Sequence, residues 1–110
     1  MKFAIPLNEG VLCTHFGHCQ KFAILTATDG KVTDKELLTP PAHEPGVLPR
    51  WLHGLGVDII IAGGMGSRAQ DFFREFGIQV VTGAPVLAPE ALVEQYLSQK
   101  LETGPNVCDH

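Results

Sequence analysis

Residues 56–84, GVDIIIAGGMGSRAQDFFREFGIQVVTGA, contain two apolar strands on either side of an amphipathic helix. Asp58–Ala62 is a run of β-branched residues, which is typical of a strand buried on both faces. Gly63–Gly66 turns the chain into a helix that Gly77 ends, and Ile78–Val81 is a second buried strand. The apolar face of the helix consists of Ala69, Phe72, Phe73 and Phe76. This alternation predicts an α/β fold.

The rest of the chain adds three strands and two helices. Asp29-Gly30 is a two-residue hairpin signal that joins two of these strands. The returning strand is rich in charge, as expected at the edge of a sheet. The expected strands are Met1–Leu7, Phe22–Thr28 and Lys31–Leu38, and the expected helices are Val47–Leu55 and one that begins at Pro89. The order β-β-β-α-β-α-β-α predicts a mixed five-stranded sheet with helices on both faces.

Composition and charge exclude several classes of function. A chain of 110 residues with 45% hydrophobic residues suits one globular domain. Its net charge of −4 and its scattered Lys and Arg residues argue against a nucleic-acid partner. The N-terminal apolar run is too short for a signal peptide, and no stretch approaches the roughly 18 apolar residues of a membrane span. We therefore expect a cytoplasmic protein, in which thiols stay reduced.

The densest group of reactive side chains lies in Cys13-Thr14-His15-Phe16-Gly17-His18-Cys19. Two thiols and two imidazoles fall within seven residues of a predicted loop. For both thiols to hold one metal, the loop must fold back on itself, and Gly17 gives the backbone that freedom. Thiolate with imidazole is the ligand combination of iron–sulfur, copper and zinc sites. The spacing matches neither a zinc finger nor a ferredoxin, so the metal stays open.

Two other predicted loops carry further donors. The C-terminal tail ends in Cys108-Asp109-His110, where Cys108 and His110 would point to the same side of an extended backbone. The proline-rich loop adds His43. Each residue taken alone has a simpler interpretation. A single cysteine is usually packed in the core, a single histidine usually lies at the surface, and residues at a chain terminus are often disordered. Taken together, they favour metal binding by Cys13, His15, His18, Cys19, His43, Cys108 and His110.

The turn from Gly63 to Arg68 is a second candidate site. Backbone N–H groups at the start of the following helix, together with Arg68, would suit an anion, either a phosphate or a sulfur-bridged metal cluster. The pattern Gly64-x-Gly66-x-x-Ala69 fits the dinucleotide fingerprint, but no acidic residue ends the next strand to bind a ribose. Glycines that serve only a tight turn explain the pattern equally well. No acyl-transfer or Walker motif is present, and a Cys–His nucleophile would need a substrate pocket that the sequence does not indicate.

Two segments resemble the dinitrogenase iron-molybdenum cofactor biosynthesis family, which includes nitrogenase cofactor carriers and small stand-alone proteins of anaerobes. One is MKFAIPLNEGVLCTHFGHCQKFAI, with His15-Phe16-Gly17 at its centre, and the other is the stretch at residues 56–84. The resemblance runs from residue 1 to about residue 101. The ending of the chain is similar to that of a subset of stand-alone members with a Cys-x-His tail. We accordingly expect a family domain over residues 1–101 and a Cys/His tail over residues 102–110.

The resemblance implies a three-layer ribonuclease H-like α/β fold without nuclease activity. It also implies binding, storage or delivery of an iron–sulfur or molybdenum/iron–sulfur cluster or of a cofactor precursor. The implied cofactor contacts are the His15 loop and the glycine turn, namely His15, Phe16, Gly17, Gly63, Gly64, Met65, Gly66 and Arg68. Family carriers do not all use cysteine ligands, so Cys13, Cys19 and Cys108 are additions of this sequence.

The leading hypothesis is a non-catalytic protein that binds a metal cluster and passes it to a client protein. A homodimer would bury the cluster between two copies of the chain, and the sequence does not decide between it and a monomer. The first rival is a metal-free module that binds a phosphate-bearing small molecule at the Gly63–Arg68 turn. The second rival is a regulatory domain stabilised by zinc. No membrane or nucleic-acid partner is expected.

Overall fold

The computed structural model describes residues 1–14, 19–41 and 46–104. Within these ranges the chain forms six strands and three helices. The strands are β1 (Lys2–Asn8), β2 (Val11–Leu12), β3 (Lys21–Thr28), β4 (Lys31–Leu38), β5 (Ile59–Ile61) and β6 (Gln79–Val81), and the helices are α1 (Val47–Gly54), α2 (Ser67–Glu75) and α3 (Pro89–Leu97). The predicted α/β class is confirmed, but the predicted count of five strands is wrong by one. The additional strand is β2, whose two residues are too few to show any periodicity.

The strands form one mixed sheet in the order β4-β3-β1-β5-β6, with β2 paired to the end of β1. β1 runs parallel to β5, and β5 runs parallel to β6. β3 is antiparallel to both of its neighbours, β1 and β4. The carboxyl ends of β1, β5 and β6 consequently lie at the same edge of the sheet, where open α/β sheets bind their ligands.

Alternating residues of β1 divide the interior into two cores. Phe3, Ile5 and Leu7 pack with Leu92 and Val93 of α3 on one face. On the opposite face Ala4 belongs to a core that includes the α1 and α2 residues Leu48, Leu52 and Phe73. Helices therefore cover both faces of the sheet, as the element order predicted. Each fully buried side chain of this size stabilises the fold by roughly 1.5–3 kcal/mol.

The turn between β3 and β4 takes the conformation that its sequence predicts. Asp29 and Gly30, between β3 and β4, both have positive φ angles, of 54° and 77°. Positive φ at both central positions is the requirement of a type I′ hairpin turn. β4 forms the edge of the sheet next to β3, and its side chains from Thr33 to Leu37 are all exposed, as its charge indicated.

An ion pair joins the edge strand β4 to the first turn of α3. Lys35 Nζ lies 2.9 Å from Glu90 Oε1, and both side chains are more than one-third exposed. The hydrogen bond from Lys35 lowers the pKa of Glu90 from its ordinary value of 4.5. Because the charged form is favoured in the folded protein, this stabilisation is present above pH 4.5 and is lost as the pH falls through the lowered pKa.

We expect Glu90→Gln to reduce the free energy of unfolding at pH 7 by less than about 1 kcal/mol, since exposed ion pairs are screened by solvent. The difference from the unmodified protein should shrink steadily as the pH falls below 4.5. Urea unfolding at several pH values measures it. Glu94→Gln, an exposed carboxylate on the same helix, is the matched control. A difference that does not change with pH would show that Glu90 stabilises the protein by other means.

In the described part of the chain, no helix combines the length and the apolar character needed to cross a membrane.

Candidate thiol site at the carboxyl ends of the parallel strands

The strand β2 lies beside the end of β1, on the same side as β5. The Pro6 carbonyl of β1 accepts a 2.8 Å hydrogen bond from Cys13 N, and the Lys2 carbonyl accepts one from Asp58 N, next to β5. Carbonyls an even number of residues apart in a strand point the same way, so Cys13 and β5 share one side of β1. Chain segment 11–14 therefore runs toward the carboxyl end of β5. The two segments meet where Gly64 N donates to the Thr14 carbonyl at 2.8 Å.

The other end of the 13–20 segment returns on the opposite side of β1. Gln20 N donates to the Leu7 carbonyl at 3.0 Å, which extends the pairing of β3 with β1 by one residue. Neighbouring strands lie about 4.8 Å apart, so the backbones of Cys13 and Gln20 are separated by about 10 Å across the end of β1. Cys19 directly precedes Gln20. The two cysteines are thus carried by segments that flank the last residue of β1, Asn8.

The Asn8 carboxamide bridges these two segments. Its Nδ2 donates to Cys13 Sγ at 3.5 Å, and its Oδ1 accepts from Gln20 N at 3.0 Å. These two contacts place the Cys13 sulfur no more than about 9 Å from Gln20 N. Gln20 Oε1 in turn accepts from Glu9 N at 3.3 Å. One side chain therefore sets the relative positions of both ends of the cysteine-containing segment.

Cys13 and Cys19 differ in how far solvent reaches them. The structure holds both as thiols, with Cys13 2% exposed and Cys19 partly exposed. Cys19 is consequently the thiol that an incoming metal can reach directly. The burial of Cys13 shields its sulfur from solvent.

The glycine turn after β5 packs against the cysteine-containing segment. A Cβ at Gly63 would lie 3.1 Å from both Thr14 Cα and Thr14 O, which explains why no side chain is present there. The N–H of Gly64 is already bonded to Thr14, so it is not available to a bound anion. Met65 is fully buried in the core beneath α1 and α2, and its carbonyl accepts from Gln70 Nε2 at 2.9 Å. Arg68 is exposed in the first turn of α2.

A series of backbone hydrogen bonds extends from this turn to residue 104. Gly83 N donates to the Gly63 carbonyl at 2.6 Å, and Gly104 N donates to the Gly83 carbonyl at 2.7 Å. We call Gly63, Gly83 and Gly104 the glycine row. It brings the chain that follows α3 to the end of the sheet at which the thiols lie.

A shallow depression of about 270 Å³ lies between β6, the end of α3 and the chain after it. Among the described residues, its lining consists of one aromatic side chain and four others, none of them Lys or Arg. The lining residues are Val81, Tyr96, Gln99, Leu101 and Thr103.

Several predicted site residues lie outside the described residues, namely His15, Phe16, Gly17, His18, His43, Cys108 and His110. Of the predicted set, the structure describes Cys13, Cys19, Gly63, Gly64, Met65, Gly66 and Arg68. Over residues 1–14, 19–41 and 46–104, no three His, Cys, Asp or Glu side chains are close enough together to hold a metal ion. The predicted ligand set therefore stays a prediction.

Three contributors to this site were not identified from the sequence, namely Asn8, Thr14 and the Gly83–Gly104 contact. Asn8-Glu9-Gly10 is a turn signal, and the chain turns there, with φ of 53° at Glu9 and 85° at Gly10. Nothing in that signal indicates a side chain that contacts a sulfur five residues later.

These features define a small α/β protein with two thiols near the carboxyl ends of the parallel strands of its sheet. The family model for the dinitrogenase iron-molybdenum cofactor matches residues 1–99. The chain belongs to that family, as the two sequence segments predicted.

The chain is also similar to individual proteins over nearly its whole length. Protein MJ0580 of Methanocaldococcus jannaschii is 32% identical over 107 residues, covering 93% of this chain and 90% of its own. The crystal structure of PH0822 has a TM-score of 0.87 at 28% identity and covers 94% of each chain. The apo form of the orange protein (ORP) from Desulfovibrio gigas has a TM-score of 0.76 at 18% identity, covering 96% of this chain and 93% of its own, which shows a shared fold.

Proposed function

We propose that this protein binds an iron–sulfur or molybdenum/iron–sulfur cluster, or a cofactor precursor, at the carboxyl ends of β1 and β5, and that it stores the cluster or delivers it to a client protein. The observation that carries the proposal is the Asn8 carboxamide, which contacts Cys13 Sγ and the backbone next to Cys19 at one edge of the sheet. Two soft sulfur donors held at that edge suit a thiophilic metal. The family to which the chain belongs bears the name of such a cofactor.

The residues present fit a metal–sulfur group better than they fit a phosphate. Two thiols flank the end of β1, whereas Gly64 has already used its N–H and Arg68 is the one cation of the glycine turn. Cys13 and Cys19 would hold the group through sulfur, with His15 or His18 as nitrogen ligands. The bound group would supply the electron-transfer or metal-donor chemistry, and the protein would shield it and orient it.

The C-terminal thiol completes the proposed ligand set. Gly104 is bonded to Gly83 at the same edge of the sheet. Cys108 follows Gly104 by four residues, a length of chain that spans at most about 14 Å. We therefore retain Cys108 and His110 as candidate ligands, together with His43.

The remaining elements of the proposal concern fold type, location and catalysis. Without β2, five strands remain, and their order across the sheet is β4-β3-β1-β5-β6, which is 3-2-1-4-5 when they are counted along the chain. Of these five, β3 alone is antiparallel to the others. This order supports assignment to the ribonuclease H-like folds.

We propose that the protein acts in the cytoplasm, where its thiols stay reduced, and that it carries its ligand without converting an organic substrate.

Anaerobic purification followed by metal and acid-labile sulfide analysis tests the proposed function. A coloured protein that contains iron and sulfide, with or without molybdenum, supports it. A colourless protein with stoichiometric zinc would instead establish the zinc-stabilised regulatory domain. A colourless, metal-free protein whose melting temperature rises with nucleotide would establish the phosphate-binding module.

We expect the double variant Cys13→Ala, Cys19→Ala to lose its chromophore. The loss of Cys19 should leave the fold intact because this thiol is partly exposed, whereas the loss of buried Cys13 removes one packed sulfur and costs about 1–2 kcal/mol. Absorption spectra and circular dichroism after anaerobic reconstitution measure the two effects separately. The matched control is Ser98→Ala, a substitution of similar size far along the chain. Equal metal content in the double variant and the control would refute the assignment of these thiols.

A further inference from the structure

We propose that Asn8 is a positioning residue of the thiol site, which holds the Cys13 sulfur in its ligating orientation and fixes the segment that carries Cys19. This inference rests on the proposed function, because it gives Asn8 a role at the same site. Asn8 does not contact the metal in this proposal. It acts through the sulfur that does.

The backbone of Asn8 is held firmly enough to serve this purpose. It is the last residue of β1, and it pairs with Val11 across the turn that leads into β2. The side chain is half-buried. Its two contacts reach the chain on both sides of β1, to Cys13 and to Gln20. Movement of the carboxamide would therefore disturb both ends of the cysteine-containing segment together.

The chemistry of the two contacts fixes the orientation of the carboxamide. The Gln20 N–H is a donor shared between the Leu7 carbonyl and the carboxamide oxygen of Asn8, so the amide nitrogen is left to face the sulfur. The reversed orientation would place two donors against each other at Gln20 and, once Cys13 is a thiolate, two electron-rich atoms against each other at Cys13. An amide N–H that faces a thiolate stabilises its negative charge.

Hydrogen bonds to ligand atoms are an established means of tuning metal sites. Partners beyond the ligands orient them, and their removal typically lowers metal affinity about 10–100-fold. Hydrogen bonds to sulfur also set the reduction potential of iron–sulfur centres. Asn8 is placed to act in both ways, since its nitrogen lies 3.5 Å from Cys13 Sγ.

A double-mutant cycle with Co²⁺ as the probe tests the proposal. Affinity is followed by sulfur-to-cobalt charge-transfer absorption in anaerobic buffer for the unmodified protein, Asn8→Ala, Cys13→Ala and the double variant. We expect Asn8→Ala to bind Co²⁺ about 10–100-fold more weakly. Its absorption band should move to longer wavelength, since the sulfur electrons lose a stabilising hydrogen bond. In the Cys13→Ala background the same change should alter affinity less than about twofold.

The control variant is Gln20→Ala, which removes the side-chain contact with Glu9 but keeps the backbone N–H that Asn8 binds. It should bind Co²⁺ with unchanged affinity and an unchanged band. A similar melting temperature in Asn8→Ala and Gln20→Ala establishes that both are folded.

Two results overturn the positioning role of Asn8. One is unchanged Co²⁺ binding in Asn8→Ala, and the other is an equal loss with and without Cys13, which would show that Asn8 acts on the fold in general. In either case binding by the unmodified protein leaves the proposed function standing. Failure of the unmodified protein to bind Co²⁺ through sulfur, by contrast, contradicts the thiol site itself and both proposals with it.

Discussion

Gly83→Ala is expected to break the contact of Gly104 with the chain that follows β6. The added Cβ would lie 2.8 Å from the Gly104 carbonyl carbon and 3.0 Å from its nitrogen, with the Gly104 oxygen also in its path. These are backbone atoms, which cannot rotate away as a side chain could. The φ of Gly83 is also +75°, a conformation that costs an alanine about 1–2 kcal/mol. Hydrogen exchange at the Gly104 amide should become as fast as in an unstructured peptide.

Gly77→Ala is the matched control for this prediction. Gly77 follows α2 with a φ of +73°, and a Cβ there would meet nothing within 4 Å. Both variants should therefore lose a similar free energy of unfolding from backbone strain, but the control should keep its protected Gly104 amide. If Cys108 and His110 are ligands, cluster affinity should fall in Gly83→Ala and not in Gly77→Ala. Equal protection of the Gly104 amide in the two variants would contradict the role given to this contact.

The sequence predicted the parts of the fold that depend on periodicity. β5, the helix that follows it and the turn at Asp29-Gly30 follow from local rules, because burial on two faces and positive φ angles select particular residue types. The prediction of β6 as a buried strand is wrong in its burial, because β6 lies at the edge of the sheet and its three residues are exposed or only partly buried. β2 could not be predicted in this way. Its two residues, Val11 and Leu12, form a strand because the turn at Glu9-Gly10 folds them against β1, so that their structure depends on a partner rather than on their own pattern.

The candidate site was predictable in its residue types but not in its arrangement. The cysteines were identified from their chemistry, whereas their position depends on contacts between distant parts of the chain, such as Gly64 with Thr14. The glycines at 63 and 64 were interpreted as a turn or an anion cradle. The structure shows another cause, namely the close approach of Thr14, which leaves no room for a Cβ at Gly63. Steric requirements of this kind become visible only when the second backbone is known.

The close approach of Thr14 makes Gly63→Ala the substitution with the most direct expected effect on the thiol site. Its Cβ would lie 3.1 Å from Thr14 Cα and Thr14 O and 3.2 Å from the Cys13 carbonyl oxygen. Contacts this short require the neighbouring atoms to move by a few tenths of an ångström. The neighbours are backbone atoms tied to β1 and to residue 87 by hydrogen bonds from Cys13 N and Leu12 N. We expect a loss of about 1–3 kcal/mol in the free energy of unfolding, as for other overpacked sites.

The displacement should also reach the Cys13 sulfur, since the Cys13 carbonyl oxygen is one of the atoms that the new methyl group pushes away, together with Thr14. We expect Co²⁺ affinity, measured by sulfur-to-cobalt absorption, to fall at least tenfold, because ligand orientation controls affinity. Gly54→Ala is the control, as Gly54 ends α1 with open space around it. Alanine in that helix should stabilise the protein by up to about 1 kcal/mol and leave Co²⁺ binding unchanged. Unaltered Co²⁺ affinity in a folded Gly63→Ala protein would mean that the packing of the glycine turn does not position the thiol.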